Sequence, residues 1–393
     1  MTTFATDRPL RTAVRGARLF DGASVTSSSV VLFDGTRIAA VGQAVPADAT
    51  VIDLPGTTLL PGLVDPHVHM AFDSSMDVVG ALAARDDDAV RAAMVAFART
   101  AALGGVTTVR DLGDRDFLSL AVRDTADPAM PTILTAGPPI TSAGGHCHFL
   151  GGETVGVDGI RAAVRERAER GCDVIKVMAS GGNLTPGSVQ HLPQFAVPEL
   201  RVAVEEAHRF NLPITAHAHG TQPVYDAVAA GLDSMEHASF ITADGVDPAP
   251  PDLLATIAAR GITLSMTLGT KPVPGGMLPG MAARMPLLVA NLRAILAAGI
   301  QVVAGTDAGV APTKPPDAVR WAPAQLVQVG VSPVDALRAN TSVAADLCGI
   351  GDQKGRLAAG YDADILAVDG DPLADPAALH DLRAVFVRGT RVR

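Results

Sequence analysis

Short apolar runs broken by turn residues mark both ends of the chain. Between about Thr12 and Leu60 such runs recur, and Asp34-Gly35 lies between two of them as a hairpin signal. From Gly355 the same pattern returns, in the segments A-D-I-L-A-V and R-A-V-F-V-R-G-T-R-V-R. These patterns predict short strands that pair across the termini into one small β domain.

The middle of the chain alternates apolar strand candidates with segments of helical period, such as 88–103, where Ala89, Met94, Phe97 and Ala101 recur near helical spacing. The predicted strands are Leu63–His69, Gly105–Asp111, Thr132–Ala136, Asp173–Met178, Pro213–His217, Asp233–Glu236, Thr263–Met266 and Gln301–Ala304. The helices predicted between and after them are Asp88–Leu103, Gly159–Arg170, Pro198–Phe210, Gln222–Ala230, Asp252–Arg260, Ala282–Ala298 and Pro333–Leu347. Eight strand–helix units predict an α/β fold, a closed (β/α)8 TIM barrel.

Three segments follow from these patterns. We expect residues 1–60 and 355–393 to form a β-sandwich domain from both termini, and residues 61–354 to form the barrel. Two loops rich in glycine and proline, Gly144–Glu153 and Gly269–Gly280, follow the third and seventh strands. Such loops are candidates for pocket walls or a lid.

Composition narrows the class of protein. Hydrophobic residues make up 48% of the chain and charged residues 18%, enough apolar surface for a large core. The net charge of −10, without any block of lysine or arginine, argues against a nucleic-acid partner and favours a small-molecule substrate. No uncharged apolar run approaches the length of a membrane span, since Arg293 interrupts the best candidate.

Three widely spaced cysteines suit a reducing compartment, and the N-terminus lacks the layout of a secretion signal. We therefore expect a cytoplasmic protein without a membrane partner. The sequence is compatible with a homo-oligomer and does not fix the oligomeric state.

Histidines occur in H-x-H pairs more often than chance allows. A shuffled chain with ten histidines would hold about 0.25 such pairs, whereas this chain has three. The pairs are His67/His69, His146/His148 and His217/His219. On a strand, His67 and His69 project to the same side about 6–7 Å apart, which suits one metal ion. Asp65 shares their parity as a candidate support beneath them.

Metal-capable side chains lie at the ends of the predicted strands, where a barrel builds its active site. They are His67, His69, Lys176, His217, His237 and Asp307. Lys176 is embedded in apolar residues, which lowers the pKa of an amine, and a neutral amine can capture carbon dioxide as a carbamate that bridges two metals. The alternatives are a lysine paired with Asp307 or a substrate anion, and a Schiff-base lysine.

Several motifs resemble those of the amidohydrolase superfamily, in the branch with two metals bridged by a carboxylated lysine. They are P-G-L-V-D-P-H-V-H, G-V-T-T-V-R-D-L-G, G-G-H-C-H-F-L-G-G-E, I-K-V-M-A-S-G-G, A-H-A-H-G, M-E-H-A, A-G-T-D-A-G and G-R-L-A-A-G-Y-D-A-D-I-L-A-V-D-G-D-P. Together they span nearly the whole chain. Within the superfamily the chain is most similar to the imidazolonepropionase-related group, which includes metal-dependent prolidases, Xaa-Arg dipeptidases and ochratoxin-type amidases.

The resemblance implies a ligand set and a reaction. The implied ligands of one ion are His67, His69 and Asp307, those of the other are His217 and His237, and N6-carboxylated Lys176 joins the two. Zinc is the expected ion, because imidazole and carboxylate suit it, with manganese, cobalt and iron as alternatives. The expected reaction is hydrolysis of an amide in an N-acyl amino acid or dipeptide by a metal-bridging hydroxide, with Asp307 as general base and acid.

Four further residues are candidates for substrate contact. His146 is favoured over His148 for binding the substrate's carbonyl or carboxylate, with loop scaffolding as the alternative. His219 contacts substrate or has a buried structural role. Arg110 clamps a substrate carboxylate or, as the favoured reading, forms an ion pair with Asp111.

Other functions fit the same sequence. The scaffold suits hydrolysis of a carbamate, phenylurea, ester or organophosphate, because one hydroxide serves all of them. A mononuclear deaminase or imidazolonepropionase-type enzyme is disfavoured by Lys176, which stands where a second metal needs its bridge. A non-enzymatic binding protein would lack ligands, and here no predicted ligand is missing.

Overall fold

The computed structural model describes residues 11–26, 28–272 and 279–393. The N-terminal ten residues, on which the absence of a secretion signal was judged, lie outside these ranges. So does the centre of the loop predicted at Gly269–Gly280 as a pocket wall or lid.

Strands from both ends of the chain form two sheets that share one core. The N-terminal strands are β1 (Thr12–Arg15), β2 (Arg18–Phe20), β3 (Val25–Thr26), β4 (Val30–Asp34), β5 (Arg37–Val41), β6 (Thr50–Asp53) and β7 (Thr57–Pro61). As predicted, Asp34 and Arg37 close a hairpin between β4 and β5. Apolar side chains of the two sheets pack together, with the rings of Phe33 and Phe386 5.8 Å apart.

The central strands follow the predicted alternation with helices. They are β8 (Leu63–Val68), β9 (Val106–Asp111), β10 (Thr132–Thr135), β11 (Thr141–Ser142), β12 (Glu153–Thr154), β13 (Ile175–Met178), β14 (Ile214–Gly220), β15 (Ser234–Ile241), β16 (Thr263–Thr267) and β17 (Val302–Gly305). The C-terminal strands are β18 (Ile365–Asp369), β19 (Leu382–Val387) and β20 (Thr390–Arg391), and β18 pairs antiparallel with β7. All eight predicted central strands are present, and six of them match the predicted bounds to within about two residues, whereas β14 and β15 run further.

The helices are α1 (Val78–Ala83), α2 (Asp87–Leu103), α3 (Leu118–Arg123), α4 (Gly156–Glu169), α5 (Val197–Arg209), α6 (Thr221–Ala230), α7 (Pro251–Arg260), α8 (Pro279–Ala297), α9 (Ala322–Gln328), α10 (Pro333–Arg338) and α11 (Ser342–Leu347). In α2, Asp86 caps the N-terminus by accepting a hydrogen bond from the Ala89 N–H. The buried face of α2 includes Met94, Phe97 and Ala101, as predicted, but begins at Val90 because Ala89 is exposed.

The parallel strands of the central region form three sheets, in the orders β10-β9-β8, β11-β12 and β13-β14-β15-β16-β17. Isolated parallel bridges join Val68 of β8 to Ala308, which follows β17, and Ile140, which precedes β11, to Val177 of β13. The fold is therefore α/β with parallel sheets. Within the described ranges the strands do not form the single continuous ladder that the predicted closed barrel would have.

The single helix predicted over 333–347 is wrong, because the chain breaks it into α10 and α11. At the break the side-chain amide of Asn340 donates a 2.7 Å hydrogen bond to the carbonyl of Ala304, and the backbone carbonyl of Asn340 accepts from the Val64 N–H at 2.8 Å. These bonds satisfy backbone groups of β8 and β17, which an uninterrupted helix would leave unpaired.

One helix of the described residues, α8, is long and apolar enough to cross a bilayer by composition alone. Its window Gly280–Ala297 has a mean hydropathy of 1.2 and is 17% buried. Arg293, expected to interrupt this apolar run, therefore does not exclude the segment as a candidate membrane span, although one such helix is weak evidence for a span.

Candidate metal centre

The end of strand β8 brings His67 and His69 to Asp307, which follows β17. Nε2 of His69 lies 3.1 Å from Oδ1 of Asp307, and Nε2 of His67 lies 3.5 Å from the same oxygen. One ligand atom from each of the three residues falls within 4.8 Å of the others. Two imidazole nitrogens and a carboxylate oxygen at this spacing form a donor set for a divalent transition metal.

A second group consists of His217, His219 and His237, from strands β14 and β15. Nδ1 of His217 is 3.0 Å from Nε2 of His237, and the His219 ring stacks on that of His237 with centroids 4.1 Å apart. Ligand atoms of the three again lie within 4.8 Å of one another. His219 therefore lies within this second histidine group. The two roles predicted for it, substrate contact and a buried structural role, had left its position open.

Backbone strain accompanies both groups. His237 has φ 70° and Asp307 has φ 62°, the left-handed region that non-glycine residues rarely adopt. Asp307 is held there by its backbone N–H, which donates a 2.7 Å hydrogen bond to the carbonyl of His67. Strain of this kind persists where surrounding structure fixes side chains for a function.

The outward-facing ring nitrogens of the predicted ligand histidines each lie near an oxygen, which is a hydrogen-bond partner for His69, His217 and His237 and an ion-pair neighbour for His67. Nδ1 of His69 is 3.1 Å from the Gly113 carbonyl, Nε2 of His217 is 3.0 Å from the Gly181 carbonyl, Nδ1 of His237 is 2.5 Å from Thr267 Oγ1, and Nδ1 of His67 is 3.1 Å from Glu236 Oε2. A carbonyl can only accept, so these bonds place the proton of His69 on Nδ1 and that of His217 on Nε2. The inward nitrogens of His69 and His217 then carry lone pairs, as metal binding requires.

Burial and mutual repulsion set the protonation of this cluster. Burial, followed by the neighbouring histidines, lowers the pKa of both His217 and His237 well below the ordinary value, so both rings are neutral. Burial alone would raise the pKa of Asp307, but His67 and His69 hold it well below its usual range. Neutral His217 and His237 and an ionised Asp307 are the forms in which these groups bind a metal.

Lys176 is buried in β13, with 1% of its surface exposed. Its Nζ has no hydrogen-bond partner among the described residues, so the alternative of an ion pair with Asp307 is not found. Burial lowers the pKa of this amine to about 8. An unpaired buried amine is costly, and a carboxylated amine that holds a metal would remove that cost, so the residue fits the predicted bridge.

The structure separates the two histidines of the loop after β10. The ring of His146 is buried and lies 4.8 Å from that of His217, whereas His148 is half-buried and contacts the ring of Phe149. The side chain of Thr185 lies 3.2 Å from Nδ1 of His146, and burial lowers the pKa of His146 to about 4. His146 therefore joins the cluster and His148 does not.

The ion pair favoured for Arg110 has a different partner. Nη2 of Arg110 lies 3.1 Å from Oε1 of Glu236, and Nε donates to the Pro66 carbonyl at 2.8 Å. Asp111 instead accepts from the backbone N–H groups of Met70 and Gly113. The predicted pairing of Arg110 with Asp111 is therefore wrong.

Sequence reasoning missed Glu236, Thr267 and Thr185. The only signal for Glu236 was its position beside His237 in M-E-H-A. Asp65, expected beneath His67 and His69, accepts a hydrogen bond from the backbone N–H of His67 at 3.3 Å and also supports the opposite ligand. Its carboxylate accepts hydrogen bonds from the backbone N–H and the hydroxyl of Thr306, at 3.0 and 2.6 Å, immediately before Asp307.

Known proteins resemble the chain along almost its whole length. An ochratoxinase from Aspergillus niger is 28% identical over 407 residues, covering 94% of this chain and 82% of that protein. An imidazolonepropionase from Deinococcus deserti is 27% identical over 408 residues, covering 95% and 93%. The crystal structure of a Xaa-Pro dipeptidase with bound methionine in its active site superposes with a TM-score of 0.82 at 26% identity, covering 97% and 99%.

The family model for the amidohydrolase family matches residues 58–392, which include both histidine groups, Lys176 and Asp307. The chain therefore belongs to the amidohydrolase family, and it is a hydrolase that acts on carbon–nitrogen bonds.

Proposed function

We propose that this hydrolase uses two metal ions to cleave the amide bond of an N-acyl amino acid or a dipeptide. The observation that carries the proposal is the amine of Lys176, which is buried and has no hydrogen-bond partner among the described residues. A carbamate on that amine would turn it into an anionic oxygen ligand for metal ions. The resemblance to a dipeptidase and an ochratoxinase supports an amide substrate.

His67, His69 and Asp307 would hold one ion, His217 and His237 the other, and carboxylated Lys176 would join them. Zinc suits this set of nitrogen and oxygen donors. When bound, the ions supply Lewis acidity towards a carbonyl and lower the pKa of water. Asp307, ionised at neutral pH, takes the proton of the attacking water and delivers it to the leaving amine.

His146 would bind the substrate oxygen. If the Thr185 hydroxyl donates to Nδ1 of His146, as its acceptance of the Cys147 N–H at 2.8 Å permits, then Nε2 carries the remaining proton. A neutral imidazole then offers an N–H to a carbonyl or carboxylate oxygen. His219, within the second histidine group, is the other candidate for substrate contact, and His148 retains only loop scaffolding.

We infer further that residues 61–354 form one (β/α)8 barrel and that residues 1–60 and 355–393 form a β-sandwich domain. The bridges from Val68 to Ala308 and from Ile140 to Val177 support closure, and the pairing of β7 with β18 supports a joint terminal domain. A cytoplasmic location is likewise proposed, because the three cysteines are free.

The test combines metal analysis with substrate panels. Purified protein, prepared with zinc and bicarbonate, should hold two ions per chain and release amino acid from a library of N-acyl amino acids and dipeptides. Ester, carbamate, phenylurea and phosphotriester panels run beside it cover the alternative substrates. Turnover confined to those panels would overturn the amide assignment. One bound ion per chain would favour a mononuclear enzyme, and the absence of bound metal would favour a binding protein.

A further inference from the structure

Glu236 is a buried carboxylate that the proposed reaction does not use. Its side chain is fully buried in β15, directly before His237. Adjacent residues on a regular strand face opposite sides, but φ of 70° at His237 and 42° at Ala238 turns the backbone there. Because of this turn, Glu236 contacts His67 of the first histidine group, whereas His237 belongs to the second group.

Three partners surround the Glu236 carboxylate. Oε1 accepts hydrogen bonds from Arg110 Nη2 at 3.1 Å and from Thr215 Oγ1 at 3.0 Å. Oε2 lies 3.1 Å from Nδ1 of His67 without the alignment of a full hydrogen bond, and neither atom has another partner among the described residues. The second oxygen of Glu236 therefore lies within ion-pair distance of the ring of His67.

This contact bears on which ring nitrogen of His67 carries the proton. A carboxylate accepts only, so it favours the proton on Nδ1 and leaves the lone pair on Nε2, the atom 3.5 Å from Asp307. The other predicted ligand histidines have neutral partners at the same position, two carbonyls and a hydroxyl. Only His67 has a charged one, and a carboxylate raises the basicity of a metal-binding imidazole.

Arg110 makes the buried charge of Glu236 tolerable. Its guanidinium is 2% exposed and is itself fixed by the carbonyl of Pro66, immediately before His67. A buried carboxylate without such a partner would be costly. Arg110 is therefore engaged with Glu236 and the backbone of β8 rather than presented to a substrate.

We propose that Glu236 is a positioning residue that fixes the imidazole of His67 with Nε2 towards the ion shared with His69 and Asp307, and that Arg110 holds Glu236 in place. This inference rests on the proposed metal centre. It predicts that the two ions respond unequally to changes at Glu236, because the contact reaches a ligand of one ion alone.

The substitution Glu236→Gln tests this directly. If the amide oxygen keeps the bonds from Arg110 and Thr215, its NH2 group faces Nδ1 of His67 and favours the opposite tautomer. The ion held by His67 should then bind about 10–100-fold more weakly, while the other ion is retained. Chelator competition followed by elemental analysis should show a fall towards one ion per chain, and kcat should fall at limiting zinc and recover with excess zinc.

The matched control is Glu206→Gln. Glu206 is 3% exposed and pairs with Arg165 and Arg209 on helices α4 and α5, with no contact to a predicted ligand. The substitution Glu206→Gln should leave the affinities for both metal ions unchanged. If Glu236 only stabilises the fold, Glu236→Gln would lower the melting temperature of the metal-free protein and weaken both ions equally, which would overturn the inference.

A second measurement does not depend on the variant folding. In zinc-loaded wild-type protein, nitrogen-15 NMR of the histidine rings should show His67 protonated on Nδ1, and a proton on Nε2 would overturn the inference. Failure of the wild-type protein to bind any metal would refute the proposed metal centre itself. Two ions bound with unchanged affinity in Glu236→Gln would refute only the role of Glu236.

Discussion

The backbone N–H of Asp307 donates a 2.7 Å hydrogen bond to the carbonyl of His67, and one residue on, the His69 N–H donates to the Ala308 carbonyl at 2.8 Å. The first and last strands of the parallel sheets are thus joined through the residues that meet at the candidate centre. The same contacts hold Asp307 in its left-handed conformation, with the carboxylate against His67 and His69.

Replacing the Asp307 carboxylate by an amide should abolish most activity. Asn cannot take a proton from water, so Asp307→Asn should lower kcat by about 10²–10⁴-fold, together with weaker binding of one ion. The measurement is steady-state turnover with saturating zinc. Asp158→Asn is the control, because that side chain is 97% exposed. Near-normal kcat in Asp307→Asn would contradict the assigned role.

Removing the Lys176 amine should remove the bridge between the ions. In Lys176→Ala no carbamate can form, so we expect loss of most bound metal and activity, whatever the bicarbonate concentration. Elemental analysis and turnover measure both effects. Lys176→Arg keeps a cation but cannot be carboxylated in the same way, so this variant should also lose most bound metal and activity. Stoichiometric metal and normal turnover in Lys176→Ala would refute the carbamate.

A methyl group at Gly182 should displace His146. The Cβ of an alanine there would lie 2.3 Å from Nε2 of His146, whereas at Gly245 it would meet nothing within 4 Å. If His146 binds the substrate oxygen, Gly182→Ala should lower kcat/KM by about 10²-fold with both metals retained. Gly245→Ala should behave as wild type. Unaltered kinetics in Gly182→Ala would remove His146 from the site.

The pH dependence of stability should report the burial of Asp114. Burial, followed by the charge of Asp111, raises the pKa of Asp114 to about 7, and its Oδ1 has no hydrogen-bond partner among the described residues. Between about pH 4 and pH 7 the folded protein therefore holds a proton that the unfolded chain has lost. The stabilisation from this group is present at low pH and is lost as the pH rises through about 7.

Asp114→Asn removes this titration. The free energy of unfolding of Asp114→Asn minus that of wild type should thus increase by about 2–4 kcal/mol from pH 5 to pH 8, because only the wild type loses stability over this range. Urea titrations of chelator-treated protein measure the difference, with Asp158→Asn as the exposed control. A constant difference across this pH range would show that Asp114 is already ionised at pH 5.

The sequence by itself determined the elements and most of the ligand candidates. Alternation of apolar strands and amphipathic helices is a local property, so strands such as Val106–Asp111 and helices such as Asp87–Leu103 were predictable to within a few residues. Metal-capable residues at strand ends were equally visible, because parallel strands deliver their carboxyl ends to one edge. That rule anticipated the meeting of His67, His69 and Asp307.

Only the tertiary structure decided what supports those ligands. Arg110 and Glu236 are 126 residues apart, and no local pattern says which charges will be buried together. The choice of His146 over His148, the entry of His219 into the second group and the break at Asn340 likewise depend on contacts between distant strands and loops. A buried polar group must find a partner, and that partner is chosen by packing in three dimensions rather than by neighbours in sequence.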